Sequence, residues 1–215
     1  MGGPSVEPPA RRPLTFRRLS GLDRSGPPPP QTRRGEPLRP WTVPNAIGYV
    51  RIALLPVFLV LAFGSGDGTD ATAAVIFAVI GWSDYLDGIA ARVTGQYSRL
   101  GSLMDPVIDR LLVVSGVADC WHFELLPRWA LALLALRELC MLALARVALR
   151  RGFDLKVNMV GRWGVWPAMA APFFAMVELG TFARIMLFVG LVLTWAATAL
   201  YVRDGVRSLR YSPAP

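Results

Sequence analysis

Residues 84–109 read DYLDGIAARVTGQYSRLGSLMDPVID, and the rest of the chain is organised around this stretch. Four carboxylates, Asp84, Asp87, Asp105 and Asp109, lie at the ends of two very apolar segments, with Gly88, Ala91, Arg92 and Gly101 between them. Helical positions three or four apart share a face. Asp84 and Asp87 therefore share one with Gly88 and Ala91, and Asp105 shares one with Gly101 and Asp109. Two helices that present paired carboxylates to each other make an oxygen-only site suited to Mg²⁺ or Mn²⁺. The small residues leave room beside it for something bulky. The plainer alternative is that these acids only neutralise Arg92 and Arg110, but charge within a bilayer is costly enough that function is the default reading.

Outward from this stretch the chain is apolar. Of 215 residues 53% are hydrophobic, and the mean hydropathy is +0.42. Apolar runs at roughly 46–64, 70–92, 104–122, 128–149, 160–178 and 182–203 predict six transmembrane helices in an all-α, polytopic membrane protein. Cys120 and Cys140 both fall inside apolar segments, which predicts buried thiols rather than a disulfide. A net charge of +8 raises the possibility of a nucleic-acid partner. The basic residues instead cluster in the tails and in alternate loops, so orientation and anionic lipid account for them and no nucleic acid is expected.

The loops assign sides. Arg92 and Arg99, then Arg150, Arg151, Lys156 and Arg162, and finally Arg203, Arg207 and Arg210 alternate with loops poor in cations. The positive-inside rule then predicts that both termini face the cytoplasm. Residues 1–40, rich in Pro, Gly and Arg, are expected to be a disordered cytoplasmic tail. Residues 41–205 form the integral domain and 206–215 a short C-terminal tail. In this topology both pairs of aspartates lie near the cytoplasmic ends of their helices, with Arg51 and Arg162 at a similar depth. A water-filled cavity at that level could hold a soluble head group while lipid tails enter from the bilayer. His122, Asp119 and the Arg137–Glu138 pair lie elsewhere, and an ion pair within the bundle is expected for the last.

The spacing D-x2-D-G-x2-A-R-x8-G-x3-D-x3-D is met at every fixed position, and it resembles the signature of the CDP-alcohol phosphatidyltransferases, membrane enzymes of phospholipid synthesis. The resemblance implies Asp84, Asp87 and Asp105 as ligands of two Mg²⁺ or Mn²⁺ ions. It implies Asp109 as general base, also within reach of a metal. It further implies that Gly88 and Ala91 admit nucleotide or pyrophosphate close to their helix. Arg92 would pair with phosphate, Ser98 would contact the nucleotide, and Gly101 would permit a close approach. Asn45, Arg51 and Arg162 are added as polar neighbours, with Arg51 expected against a donor or acceptor phosphate. Homodimerisation follows from the likeness, and the topology predicted from the loop charges puts the active site on the cytoplasmic side of what is expected to be the plasma membrane.

Beyond the motif, TVPNAIGYVRIALLPVF, SRLGSLMDPVIDRLL and Leu136-Arg137-Glu138 resemble the branch of phosphatidylglycerophosphate synthases and CMP-forming cardiolipin synthases. Two departures bear on the acceptor. Ser102 stands where the former usually carry Lys. Gly161-Arg162-Trp163-Gly164-Val165 stands where they usually show G-K-x-K-T. A soluble glycerol phosphate brings a dianion that clustered cations favour, whereas phosphatidylglycerol has one charge and arrives through the bilayer. The expectation is therefore transfer from CDP-diacylglycerol to phosphatidylglycerol, with glycerol 3-phosphate as the alternative acceptor. A membrane prenyltransferase or a cation transporter would also use intramembrane aspartates, and release of CMP separates the expected enzyme from both.

Overall fold

A computed structural model describes Thr32, residues 36–150 and residues 159–211, with the side chains of 145, 148–150, 159–163 and 204–211 left aside. The tail expected at 1–40 lies largely outside the described residues. Six helices follow one another: α1 (Val43–Gly64), α2 (Ala71–Thr94), α3 (Arg99–His122), α4 (Arg128–Arg150), α5 (Met159–Met176) and α6 (Gly180–Tyr211). Among the described residues there is no strand, so the all-α expectation holds.

The helices begin where side chains can satisfy their first amides. Thr42 Oγ1 accepts from the Asn45 amide, with Pro44 in the first turn of α1. Asp70 Oδ1 accepts from Ala73 N at 2.6 Å to start α2. Ser98 Oγ accepts from Gly101 N at 2.9 Å to start α3, which therefore begins five residues before its apolar run. Gly95, at φ +67°, ends α2 in the left-handed conformation that favours glycine. In the turn between α1 and α2, the Thr69 amide donates to Asp67 and holds that carboxyl below the usual carboxylate range. The last helix continues past the apolar run through the polar segment to Tyr211.

Among the described residues, three helices are long and apolar enough to cross a membrane: Val43–Gly64, Ala71–Thr94 and Gly180–Arg203. In α5 (Met159–Met176) the fully described part, Gly164–Met176, is apolar. α3 and α4 are comparably long, but Asp105, Asp109, Arg110 and Asp119 interrupt the one and Arg137 and Glu138 the other. Large apolar side chains face outward around the bundle, among them Val60, Leu139 and Val192. Such an exterior suits lipid rather than water.

Two apolar clusters hold the bundle. One gathers Phe58, Phe77, Ile80, Ile108 and Leu112 from α1, α2 and α3, with Met176 of α5. The other joins α3 to α4, α5 and α6 through Cys120, Leu131, Leu134, Ala171 and Leu187. Lipid is as apolar as leucine, so helices there associate by close packing, and small residues permit it. At the α5–α6 contact a Cβ on Gly190 would stand 2.5 Å from the Ala168 amide nitrogen. Cys120 and Cys140 are free, and Arg137 pairs with Glu138 as expected.

Candidate active site

The buried positions of α1 run Asn45, Gly48, Arg51, Leu55, Phe58 and Ala62. That three-and-four spacing is the inward stripe of a helix, and it carries Arg51 into the bundle at 1% exposure. A guanidinium so placed needs acceptors for its donors. Arg51 Nη1 donates to Asp84 Oδ1 at 3.2 Å and to Asp87 Oδ2 at 3.1 Å. Nη2 donates to Asp109 Oδ1 at 2.6 Å, and Nε to the carbonyl oxygen of Ile80 at 3.2 Å. Two helices, α2 and α3, thus deliver three carboxylates to the one positive charge that α1 carries.

The cluster is closed on one side and open on the other. The Asp87 side chain is 9% exposed, whereas those of Asp84 and Asp109 are 47% and 51% exposed. Asp105, one turn before Asp109 on α3, is half-buried. The motif spacing therefore does bring α2 and α3 together at one end of the bundle. Arg92 and Arg110, the counter-ions of the plainer alternative, are not the groups on which these acids converge. Arg92 Nε and Arg110 Nη1 are buried without a hydrogen-bond partner. The Arg92 guanidinium lies back over its own helix, 3.4 Å from where a Cβ on Gly88 would stand.

A second polar group ties the start of α1 to the start of α3. Asn45 is 1% exposed; its Oδ1 accepts from Ser98 Oγ at 2.7 Å and its Nδ2 donates to the carbonyls of Arg39 and Pro40. A Cβ on Gly101 would stand 2.8 Å from Asn45 Oδ1, so glycine is needed there for the close approach. Gln96 Oε1 accepts from Val43 N at 2.9 Å and adds a further tie. Asn45, Ser98 and Gly101 are thus joined to one another, and Arg51 to the acids. Ala91 is half-buried on α2. Arg162 is on α5, but its side chain lies outside the described residues.

Among the described residues, no group of three or more His, Cys, Asp or Glu is arranged to hold a metal ion. The donor set nonetheless fits a hard divalent cation in its chemistry, since it consists of carboxylate oxygens from facing helices. Three of these already share one cation, the guanidinium. Its position at the hub was not foreseen from the motif, although the spacing of Arg51 with Gly48, Leu55 and Phe58 marks it as inward-facing. At the other end of α3, His122 sits among the rings of Phe63 and Phe123.

The profile of the CDP-alcohol phosphatidyltransferase family, comprising the motif and most of the bundle, matches residues 41–201. A Streptomyces coelicolor protein named cardiolipin synthase (CMP-forming) is 36% identical over 146 residues, 66% of this chain and 67% of that protein. A Bacillus subtilis protein named CDP-diacylglycerol–glycerol-3-phosphate 3-phosphatidyltransferase is 28% identical over 143 residues, 61% of this chain and 74% of that protein.

Proposed function

The chain belongs to the CDP-alcohol phosphatidyltransferase family, enzymes of phospholipid synthesis, and we propose that it transfers the phosphatidyl group of CDP-diacylglycerol to phosphatidylglycerol, giving cardiolipin and CMP. The observation that carries the reading is the convergence of Asp84, Asp87 and Asp109, from two helices, on one cationic point with an open side. A diphosphate donor needs cationic charge on its leaving group, and a site able to gather cations between carboxylates supplies it.

Asp84, Asp87 and Asp105 would hold Mg²⁺ or Mn²⁺, two ions in all, with Asp109 at their edge; the bound metal would neutralise charge on the pyrophosphate. Asp109, half exposed at the open side, would take the proton of the acceptor hydroxyl. That oxygen forms the new bond to the phosphatidyl phosphorus, the bond from phosphorus to CMP breaks, and CMP leaves with the electron pair. Gly88 and Ala91 keep the wall of α2 low beside the donor. Arg92, whose buried Nε has no hydrogen-bond partner, would pair with phosphate oxygens. Asn45, Ser98 and Gly101 act by fixing α1 against α3, which positions Arg51 and Asp109.

The acceptor rests on Ser102, on Gly161-Arg162-Trp163-Gly164-Val165, and on the name of the Streptomyces relative. The Bacillus relative supports glycerol 3-phosphate instead. Purified protein supplied with CDP-diacylglycerol and labelled phosphatidylglycerol or labelled glycerol 3-phosphate decides between them. Labelled cardiolipin with CMP is expected; predominant phosphatidylglycerophosphate would overturn the acceptor. In this reading all six helices span the plasma membrane of a homodimer, with both termini and the site on the cytoplasmic side. Reaction of single cysteines at loop positions with an impermeant thiol reagent tests that topology.

A further inference from the structure

Arg51 occupies the point at which three of the four aspartates meet, and that position has a consequence for metal binding. Its guanidinium takes the carboxylate oxygens of Asp84, Asp87 and Asp109 at 2.6–3.2 Å. A divalent ion such as Mg²⁺ needs such oxygens much closer, at about 2.0–2.1 Å and in a near-octahedral arrangement. Each carboxylate gives Arg51 one oxygen and keeps a second, but the engaged oxygens cannot meet both demands at once, and two cations within a few ångströms repel. The four acids without Arg51 would repel one another just as surely.

We propose that Arg51 and the divalent cation compete for the same carboxylates. The guanidinium holds α1, α2 and α3 together when no metal is present, and withdraws from the exposed pair, Asp84 and Asp109, when metal binds. The bond from Nε to the Ile80 carbonyl and the buried Asp87 keep the displaced side chain at the site, where its freed donors face the open side into which an anionic head group would come. Arg51 is on this account a positioning residue that sets metal affinity. The inference rests on the metal-dependent reading of the site.

The test is Mn²⁺ binding to the full chain in lipid nanodiscs, read by electron paramagnetic resonance, alongside thermal unfolding in EDTA and in saturating Mn²⁺. Arg51→Gln removes the competitor and is expected to bind Mn²⁺ at least tenfold more tightly than the wild type. It is also expected to melt below the wild type in EDTA, with the gap closing in Mn²⁺. Arg51→Lys keeps a charge but cannot bridge three carboxylates, so its affinity should rise by a smaller factor; it decides the matter if the glutamine variant does not fold. Binding by wild type and variants with equal affinity, or weaker binding by the variants, overturns the proposal while leaving the metal reading intact. No Mn²⁺ binding by any of them overturns the metal reading, and the competition with it.

Discussion

Asp109 and Asp119 lie on the same helix, about 15 Å apart along its axis at 1.5 Å per residue, and their surroundings differ in every respect. Asp109 is half exposed and accepts from Arg51. Asp119 is 0% exposed, and neither of its oxygens has a hydrogen-bond partner. The two carboxylates thus differ in exposure and in partners although one helix carries both. What sets the Asp109 end apart is convergence: α1 supplies a cation, α2 supplies two further acids, and Asp84 and Asp109 stay about half exposed. The Asp119 end has apolar neighbours such as Cys120, Leu126 and Ala130 and is closed.

The largest expected effect tests that contrast directly. Asp109→Asn should lower CMP release by about 10³-fold, within the range for loss of a general base, while binding of CDP-diacylglycerol is retained. Asp119→Asn should leave CMP release within a factor of about two, because a group without access to substrate has no part in proton transfer. Comparable losses in the two variants would break the comparison. Unchanged turnover in Asp109→Asn would remove Asp109 from the reaction.

A glycine on α3 and the serine that caps it sharpen the contrast from the packing side. A Cβ on Gly116 would stand 2.8 Å from the ring of Phe77 and 3.1 Å from Pro172. Gly116→Ala should therefore lower stability by about 1–3 kcal/mol, the usual cost of overpacking, with turnover per folded molecule unchanged. At the other end, Ser98→Ala removes the α3 cap and leaves Asn45 Oδ1 without its donor. It should cost about 1 kcal/mol and also reduce turnover, because α1 carries Arg51. Thermal unfolding and CMP release measured on the same samples distinguish the two outcomes. A Gly116→Ala protein that folds normally but loses activity would show that the ends of α3 are coupled.

Much of this was legible in the sequence because the signals are local. The order and approximate bounds of the six helices follow from apolar runs. Asp84, Asp87, Asp105 and Asp109 were singled out because helical spacing aligns them. α3 was expected near residue 104 and begins at Arg99, since a cap such as Ser98 has no hydropathy signal. The hub position of Arg51 was hidden for a different reason. Which acids a long side chain reaches depends on how α1 packs against α2 and α3, and no periodicity within one helix encodes that. The same holds for Asn45 and Ser98, 53 residues apart and hydrogen-bonded to each other. Among the described residues length and apolarity pick out three spans, and α3 is not one of them because Asp105 and Asp109 interrupt its hydropathy.

The smallest expected effect concerns the ion pair between Glu124 and Arg128, whose distance of 3.0 Å falls within the 2.6–3.2 Å of those to Arg51. Its side chains are 71% and 51% exposed, so water competes for both charges, and such pairs contribute about 0.2–1 kcal/mol. Arg128 is also held without Glu124: its Nε donates to the Trp121 carbonyl, and its guanidinium lies 5.8 Å from the centre of the Trp121 ring. Glu124→Gln should therefore shift stability by no more than about 0.5 kcal/mol, and less as salt is raised. The pair at Arg51 has similar geometry but is closed to water on the Asp87 side, so there salt should matter little. A Glu124→Gln protein as destabilised as Arg51→Gln in EDTA would mean that ion-pair distance, rather than access to water and convergence on one charge, governs the two ends.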